Sequence, residues 1–214
     1  FHSAPNAIAI GGSANAVGSN SVAIGSSSST NKFEALALGY QASVTGNQAI
    51  AIGSRSQATA SYAIALGCAA KALDDAAIAI GEKASVSGQG ITIGKEGIST
   101  GSNDIAIGWK ANASSCQNSI AIGAEASVSG SGKAVAIGGE AKSSGTNAYA
   151  LGYKAESTAP DSFAIGTQAK ADRQGQIRLG AEQPTATSAE VTIGSLKYYS
   201  RNEGRSGRQV YYDG

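Results

Sequence analysis

The chain has 214 residues with 29 glycines, three prolines, no methionine, one histidine and a formal net charge of +1. That balance supplies no basic field for nucleic acid or an anionic lipid surface. Only 14% of residues are charged, and the 42% that are hydrophobic include many alanines, so large apolar side chains are too thinly spread for one thick globular core.

From its first residues the chain repeats one short phrase, written "NAIAIG" at 6–11, "SVAIG" at 21–25 and "IAIG" or "YALG" further on. The glycines that close these tetrads are Gly11, Gly25, Gly39, Gly53, Gly67, Gly81, Gly94, Gly108, Gly123, Gly138, Gly152, Gly166, Gly180 and Gly194, fourteen in all at steps of 13 to 15 residues. A step of that length holds two short strands and two tight turns, one flattened coil of a β-solenoid. Helix pairs need more than about 30 residues per repeat, and three-sided coils are longer. The tetrads are β-branched, alternating and bounded by Gly, Ser and Asn, as strands are. The fold class expected is all-β: a β-roll of fourteen two-strand coils over residues 1–194, followed at 195–214 by a junction to a further module.

Counting from each closing glycine, the residues one and three before it are Ile, Leu or Val, with Tyr149 and Phe163 as larger variants. The residue two before is Ala9, Ala23, Ala37, Ala51, Ala65, Ala79, Ala106, Ala121, Ala136, Ala150 or Ala164, with Thr92, Arg178 and Thr192 as exceptions. The two sets point to opposite faces of a strand. In the second strand, the residues three and five after the glycine are small or apolar, as in Ala42 and Val44, while their neighbours are polar. The expectation is that Ile and Val fill each chain's interior. The alanines then form a smooth stripe that a soluble chain buries against copies of itself, most economically around a three-fold axis, with Arg178 continuing that interface.

These tetrads, each followed by a second small-residue strand such as "EKASVSG", resemble the head domain of YadA-like trimeric autotransporter adhesins over roughly residues 6 to 194. The resemblance implies a homotrimeric, left-handed parallel β-roll with the same orientation of faces. It also implies attachment to host matrix proteins, cell-surface proteins or glycans from the bacterial outer surface, with any membrane contact made by modules outside this segment. Similar rolls occur in phage tail fibres, and that alternative stays open. No run approaches the roughly 18 to 20 apolar residues of a membrane helix. The chain starts at Phe1 without a leader and reads as a processed or excised piece.

No enzyme is expected. His2 is the sole histidine, Asp74 and Asp75 read as a solvated turn, and "SGSGKA" at 129–134 lacks the glycine and hydroxyl residue of a phosphate loop. No cofactor or metal cluster is expected either. Cys68 and Cys116 stand three to four coils apart, roughly 14 to 19 Å at the strand spacing, beyond a disulfide's ~7 Å Cα limit. Free thiols suit a cytoplasmically assembled virion better than an exported chain. Tyr40, Trp109 and Tyr153 each follow a closing glycine, and Lys110 and Lys154 stand beside the last two. These five are the candidate ligand-binding residues, for sugar stacking or protein anchoring; the competing role is to cover a seam between subunits. Near the end, Gln176, Arg178, Pro184, Glu190 and Thr192 break the small-residue pattern, which points to a loosening of the roll at its final two coils.

Overall fold

The computed structural model describes residues 4–114 and 117–180. Its strands alternate along the chain between three-residue strands, from Ile8–Ile10 to Ile177–Leu179, and two-residue strands, from Asn15–Ala16 to Lys170–Ala171. They form two parallel sheets of 13 and 12 strands, each strand paired with its counterparts one coil before and one coil after. Register is strict: Ala9 pairs Ala23, Ala23 pairs Ala37, and the column runs to Ala164 beside Arg178. The irregular steps do not disturb it, because Ile78 still pairs Ile91 across the 13-residue step and Ile105 pairs Ile120 across a 15-residue one. The gain or loss falls in the turn that leads from the second strand to the next tetrad, never in the turn after the closing glycine.

The turn after each closing glycine is a four-residue turn closed by a backbone hydrogen bond, and several of the turns at the other end are closed in the same way. The Ala42 N–H donates to the Gly39 carbonyl at 3.2 Å, and at the other end the Ala77 N–H donates to the Asp74 carbonyl at 3.1 Å. Such a turn joins Cα atoms less than ~7 Å apart, whereas face-packed sheets ordinarily stand ~10 Å apart. The turns therefore set the thickness of the roll, and only small side chains fit between the sheets. Ala23, Ala37, Ala51, Ala65, Ala79, Ala106, Ala121, Ala136, Ala150 and Ala164 all fill this interior with no exposed surface. They meet the small residues of the second strand, and the largest fully buried side chains among the described residues are Val44, Val86 and Val128.

This reverses the expected faces. A side chain wholly enclosed by its own chain cannot line a contact with another copy, so the alanine column is no intersubunit stripe. The Ile, Leu and Val side chains point outward instead. Ala9 shares the inward register but is exposed on the outermost strand. Arg178 also takes the inward position and is half-buried there, at the last described coil. Its neighbour Gln176 turns its Oε1 back to accept from the Asp172 and Arg173 N–H groups at 3.0 and 3.1 Å. Pro184, Glu190, Thr192, the fourteenth tetrad, the tail at 195–214, His2 and Cys116 lie outside the described residues.

Serine replaces alanine inside where the turns offer carbonyls, whereas Ser99 Oγ in the seventh coil is buried without a hydrogen-bond partner among the described residues. Ser28 Oγ donates to Gly25 O at 2.8 Å, Ser56 Oγ to Gly53 O at 2.9 Å and Ser143 Oγ to Ala148 O at 2.8 Å. The seventh coil departs furthest from the pattern. There Thr92 occupies the alanine column, and Gly97 takes the facing position, where a Cβ would lie 2.8 Å from Thr92 Cγ2. In the next coil Asp104 is fully buried. Its carboxylate accepts from the N–H groups of Gly101 and Ser119, each at 2.9 Å. Burial pushes its carboxyl above the usual aspartate range, against the two backbone donors, which lower it.

The closing glycines are required by stacking. Gly67 has φ +138, and a Cβ there would lie 2.4 Å from the Gly81 carbonyl oxygen in the next coil. Side chain and neighbouring backbone cannot share that space.

Candidate functional site

Two surfaces of the roll can engage another molecule. The first is the outer face of the 13-strand sheet, which presents two large apolar side chains per strand, in register from Ile8 and Ile10 to Ile177 and Leu179. Neighbours in a column shield one another, yet Leu38, Leu66, Ile93 and Ile137 each remain 38–39% exposed. Near the end of this face the Tyr149 and Phe163 rings stack with centroids 4.6 Å apart and planes 2° apart. Twelve steps of strand spacing make the strip roughly 58 Å long, longer than the patches monomers leave in water. The other sheet's outer column, by contrast, is mostly polar, with Ser43, Gln57, Lys71, Ser85, Asn112, Ser127, Lys142, Glu156 and Lys170, and Ile98 as its one large apolar side chain among the described residues. A signal for this face was present in the sequence: two tight turns per coil already limit the interior to small residues.

The second surface is the edge formed by the turns after the closing glycines. Tyr40, Trp109 and Tyr153 are 47%, 46% and 48% exposed. Each ring carries a cation over one face: Arg55 Cζ 5.9 Å from the Tyr40 centroid, Lys110 Nζ 4.6 Å from Trp109, and Lys154 Nζ 5.1 Å from Tyr153. Arg55 was not singled out from the sequence, because it contacts a ring one coil away rather than a chain neighbour. The lysines also reach carboxylates on the preceding coil, Lys110 to Glu96 at 4.0 Å and Lys154 to Glu140 at 3.5 Å. The Tyr153 hydroxyl donates to Glu140 Oε1 at 3.1 Å. Hydrogen bonding with Tyr153, then the charge of Glu140, holds Lys154 above the usual lysine range. A similar pair, Lys95 and Glu82 at 2.9 Å, raises the lysine and lowers the glutamate.

These side chains share one edge but are spread along its length rather than in mutual contact. Trp109 and Tyr153 are three coils apart, about 14 Å, and Tyr40 lies five coils from Trp109, about 24 Å. Cys68 occupies the same column between Ser54 and Glu82 as an exposed free thiol. Among the described residues no group of three His, Cys, Asp or Glu side chains could hold a metal ion, and no helix is long and apolar enough to cross a membrane.

A parallel β-solenoid with an alanine interior, one apolar outer face and a closing glycine in every coil defines a class of repeat-built heads. The YadA head domain repeat matches this chain at 3–28, 31–56, 45–70, 58–84, 99–115, 117–141, 132–155 and 143–169, more than half its length. The chain belongs to the YadA head-domain family, and its function is of the adhesin type. Residues 85–98, which hold the unusual seventh coil, fall between the matched segments. Among solved structures, the collagen-binding domain of the Yersinia adhesin YadA is similar at 23% identity, over 91% of this chain and 92% of that one, with a TM-score of 0.32. No curated protein sequence matches the chain.

Proposed function

We propose that this chain is the head of a homotrimeric surface adhesin, a rigid rod that holds binding edges away from a bacterial cell and attaches it to host extracellular-matrix or cell-surface molecules. The observation that carries this reading is the uninterrupted apolar outer face of the 13-strand sheet. Left in water it is an aggregation surface. Closed around a three-fold axis it is buried by two further copies of itself, and the polar column of the second sheet remains outside. The interface of the trimer is thus the Ile, Leu and Val face rather than the alanine column. Binding chemistry then belongs to the turn edges, where Tyr40, Trp109, Lys110, Tyr153 and Lys154 stand, each repeated three times in the assembly. Weak contacts gain strength from that multiplicity.

Analytical ultracentrifugation of the chain, followed by adhesion to immobilised collagen and other matrix proteins, tests the reading. A trimer that adheres supports it. A stable monomer defeats the assembly, and a trimer with no affinity for any matrix or cell surface defeats the adhesin role. The tail-fibre alternative makes a separate demand on the full reading frame, which would lack a stalk and an outer-membrane anchor.

A further inference from the structure

The column of first turn residues after the closing glycines changes size abruptly between Trp109 and Tyr153. Between the two rings stand Ala124 and Gly139, one per coil. They leave a notch with aromatic walls and a floor of one methyl group and bare backbone. The Tyr153 ring leans over part of that floor, since a Cβ on Gly139 would lie 3.5 Å from Tyr153 Cδ2. Ala124 and Glu125 are both exposed on the remainder.

Charge narrows the occupant. Lys110 and Lys154 are each already engaged by a carboxylate on the preceding coil, whereas Glu125 takes part in no ion pair among the described residues. The notch therefore offers an anionic ligand no unpaired cation and one unpaired negative charge. An uncharged ligand rich in hydroxyl groups meets the opposite situation. The weakly positive C–H face of a pyranose ring lies against the negative face of an aromatic ring, while its edge hydroxyls donate to carboxylates such as Glu125 and Glu140. Three coils at the strand spacing, about 14 Å along the column from Trp109 to Tyr153, suit an extended chain of sugars rather than a single one.

We propose that this notch is a binding site for a neutral oligosaccharide, with Trp109 and Tyr153 as stacking platforms and Glu125 as a hydroxyl acceptor. The proposal rests on the adhesin reading and specifies one class of its ligands. Three copies of the site per trimer, facing outward at intervals around the rod, match a densely glycosylated surface.

The test is retention of the assembled protein on an array of neutral hexose and N-acetylhexosamine oligosaccharides, one to six rings long, beside sialylated and sulfated counterparts. Retention on neutral chains that strengthens with length is expected. It should fall about tenfold or more in Trp109→Ala and Tyr153→Ala, and in Ala124→Arg, which fills the notch. Trp109 is the only tryptophan, so its emission in wild type should shift saturably with the retained sugar. Melting temperatures should stay within a few degrees of wild type. Retention confined to charged glycans, absence from every neutral chain, or retention indifferent to all three substitutions overturns the proposal. So does a Trp109 that acrylamide cannot quench and whose loss destabilises the trimer, which would make it a seam residue. A protein that still adheres to matrix proteins while ignoring neutral sugars loses this inference alone; one that binds neither loses the adhesin reading as well.

Discussion

Asp104 is the single fully buried ionisable side chain among the described residues, and it gives the roll a pH signature opposite to that of a salt bridge. A carboxyl whose pKa is raised by folding holds its proton more tightly in the folded chain than in the unfolded one. Its penalty is absent below the unperturbed value of 3.8, sets in as pH rises from there through the folded-state pKa, and is complete above it. An asparagine in its place would not titrate, and its one amide oxygen could satisfy only one of the two donors, Gly101 N–H or Ser119 N–H. Denaturant unfolding of wild type and Asp104→Asn across pH 3 to 7 should show wild type gaining on the variant as pH falls. Parallel curves would mean that folding leaves the Asp104 carboxyl at its ordinary pKa. A second residue-scale effect concerns backbone strain. Ala76 holds φ 55, in a column where Asn6, Asn20, Asn103, Asn118 and Asn147 adopt the same left-handed conformation. Asparagine tolerates that region better than alanine, so Ala76→Asn should stabilise the chain by about 0.5–1 kcal/mol, readable as a shift in denaturation midpoint.

At the scale of the coil, volume is conserved across the interior. Thr92 faces Gly97 where other coils set alanine against alanine or serine. Gly97→Ala should destabilise the wild-type chain by about 1–3 kcal/mol through overpacking. It should be nearly harmless beside Thr92→Ala, a coupling of about 1 kcal/mol or more in a double-mutant cycle. Additive effects would show that the pair does not share one space. The same geometry explains what was legible in the sequence. Repeat period, strand placement and parallel stacking follow from the closing glycines and the alternation around them, and all appear in the structure. The direction of each face did not follow from hydrophobicity, because that criterion places isoleucine inside and leaves alanine for a contact. Turn span overrides it here, since the short turns leave room between the sheets for little beyond alanine, serine and valine. The aromatic residues of the edge were visible as single positions after their glycines. Lys110 and Lys154 were visible beside their rings, but Arg55 over Tyr40 and the notch between Trp109 and Tyr153 were not, because these depend on neighbours 14 or more residues away that only coil register brings together.

For the molecule as a whole, the apolar outer face of the 13-strand sheet is the surface on which the proposed trimer depends. Ile107 lies on that face, flanked in register by Ile93 and Ile122. In the proposed trimer, Ile107→Glu would bring three carboxylates together in an apolar contact, each stripped of water. Sedimentation should then report monomer or heterogeneous association, and circular dichroism should retain the strand signal of the individual roll. An intact trimer in this variant would remove the face from the interface. Ala106→Glu, one residue away, should instead unfold the coil, since its side chain has only the closed interior to enter.

Because each coil bonds only to the one before and the one after, the roll has no long-range tie between its two ends. Pulled along its length, a chain built this way does not fail at once. The terminal coil peels away while the coil beneath it keeps every one of its own bonds, and the load then passes to that coil. Each release of about 14 residues lengthens the chain by roughly 45 Å, so a tether under shear yields in small equal increments. The alanine interior favours re-closure: a coil that re-forms has few side-chain rotamers to order and a neighbouring strand already waiting in register. Repetition thus supplies reach and also a graded mechanical response, in which each released coil lengthens the chain and caps the tension it transmits.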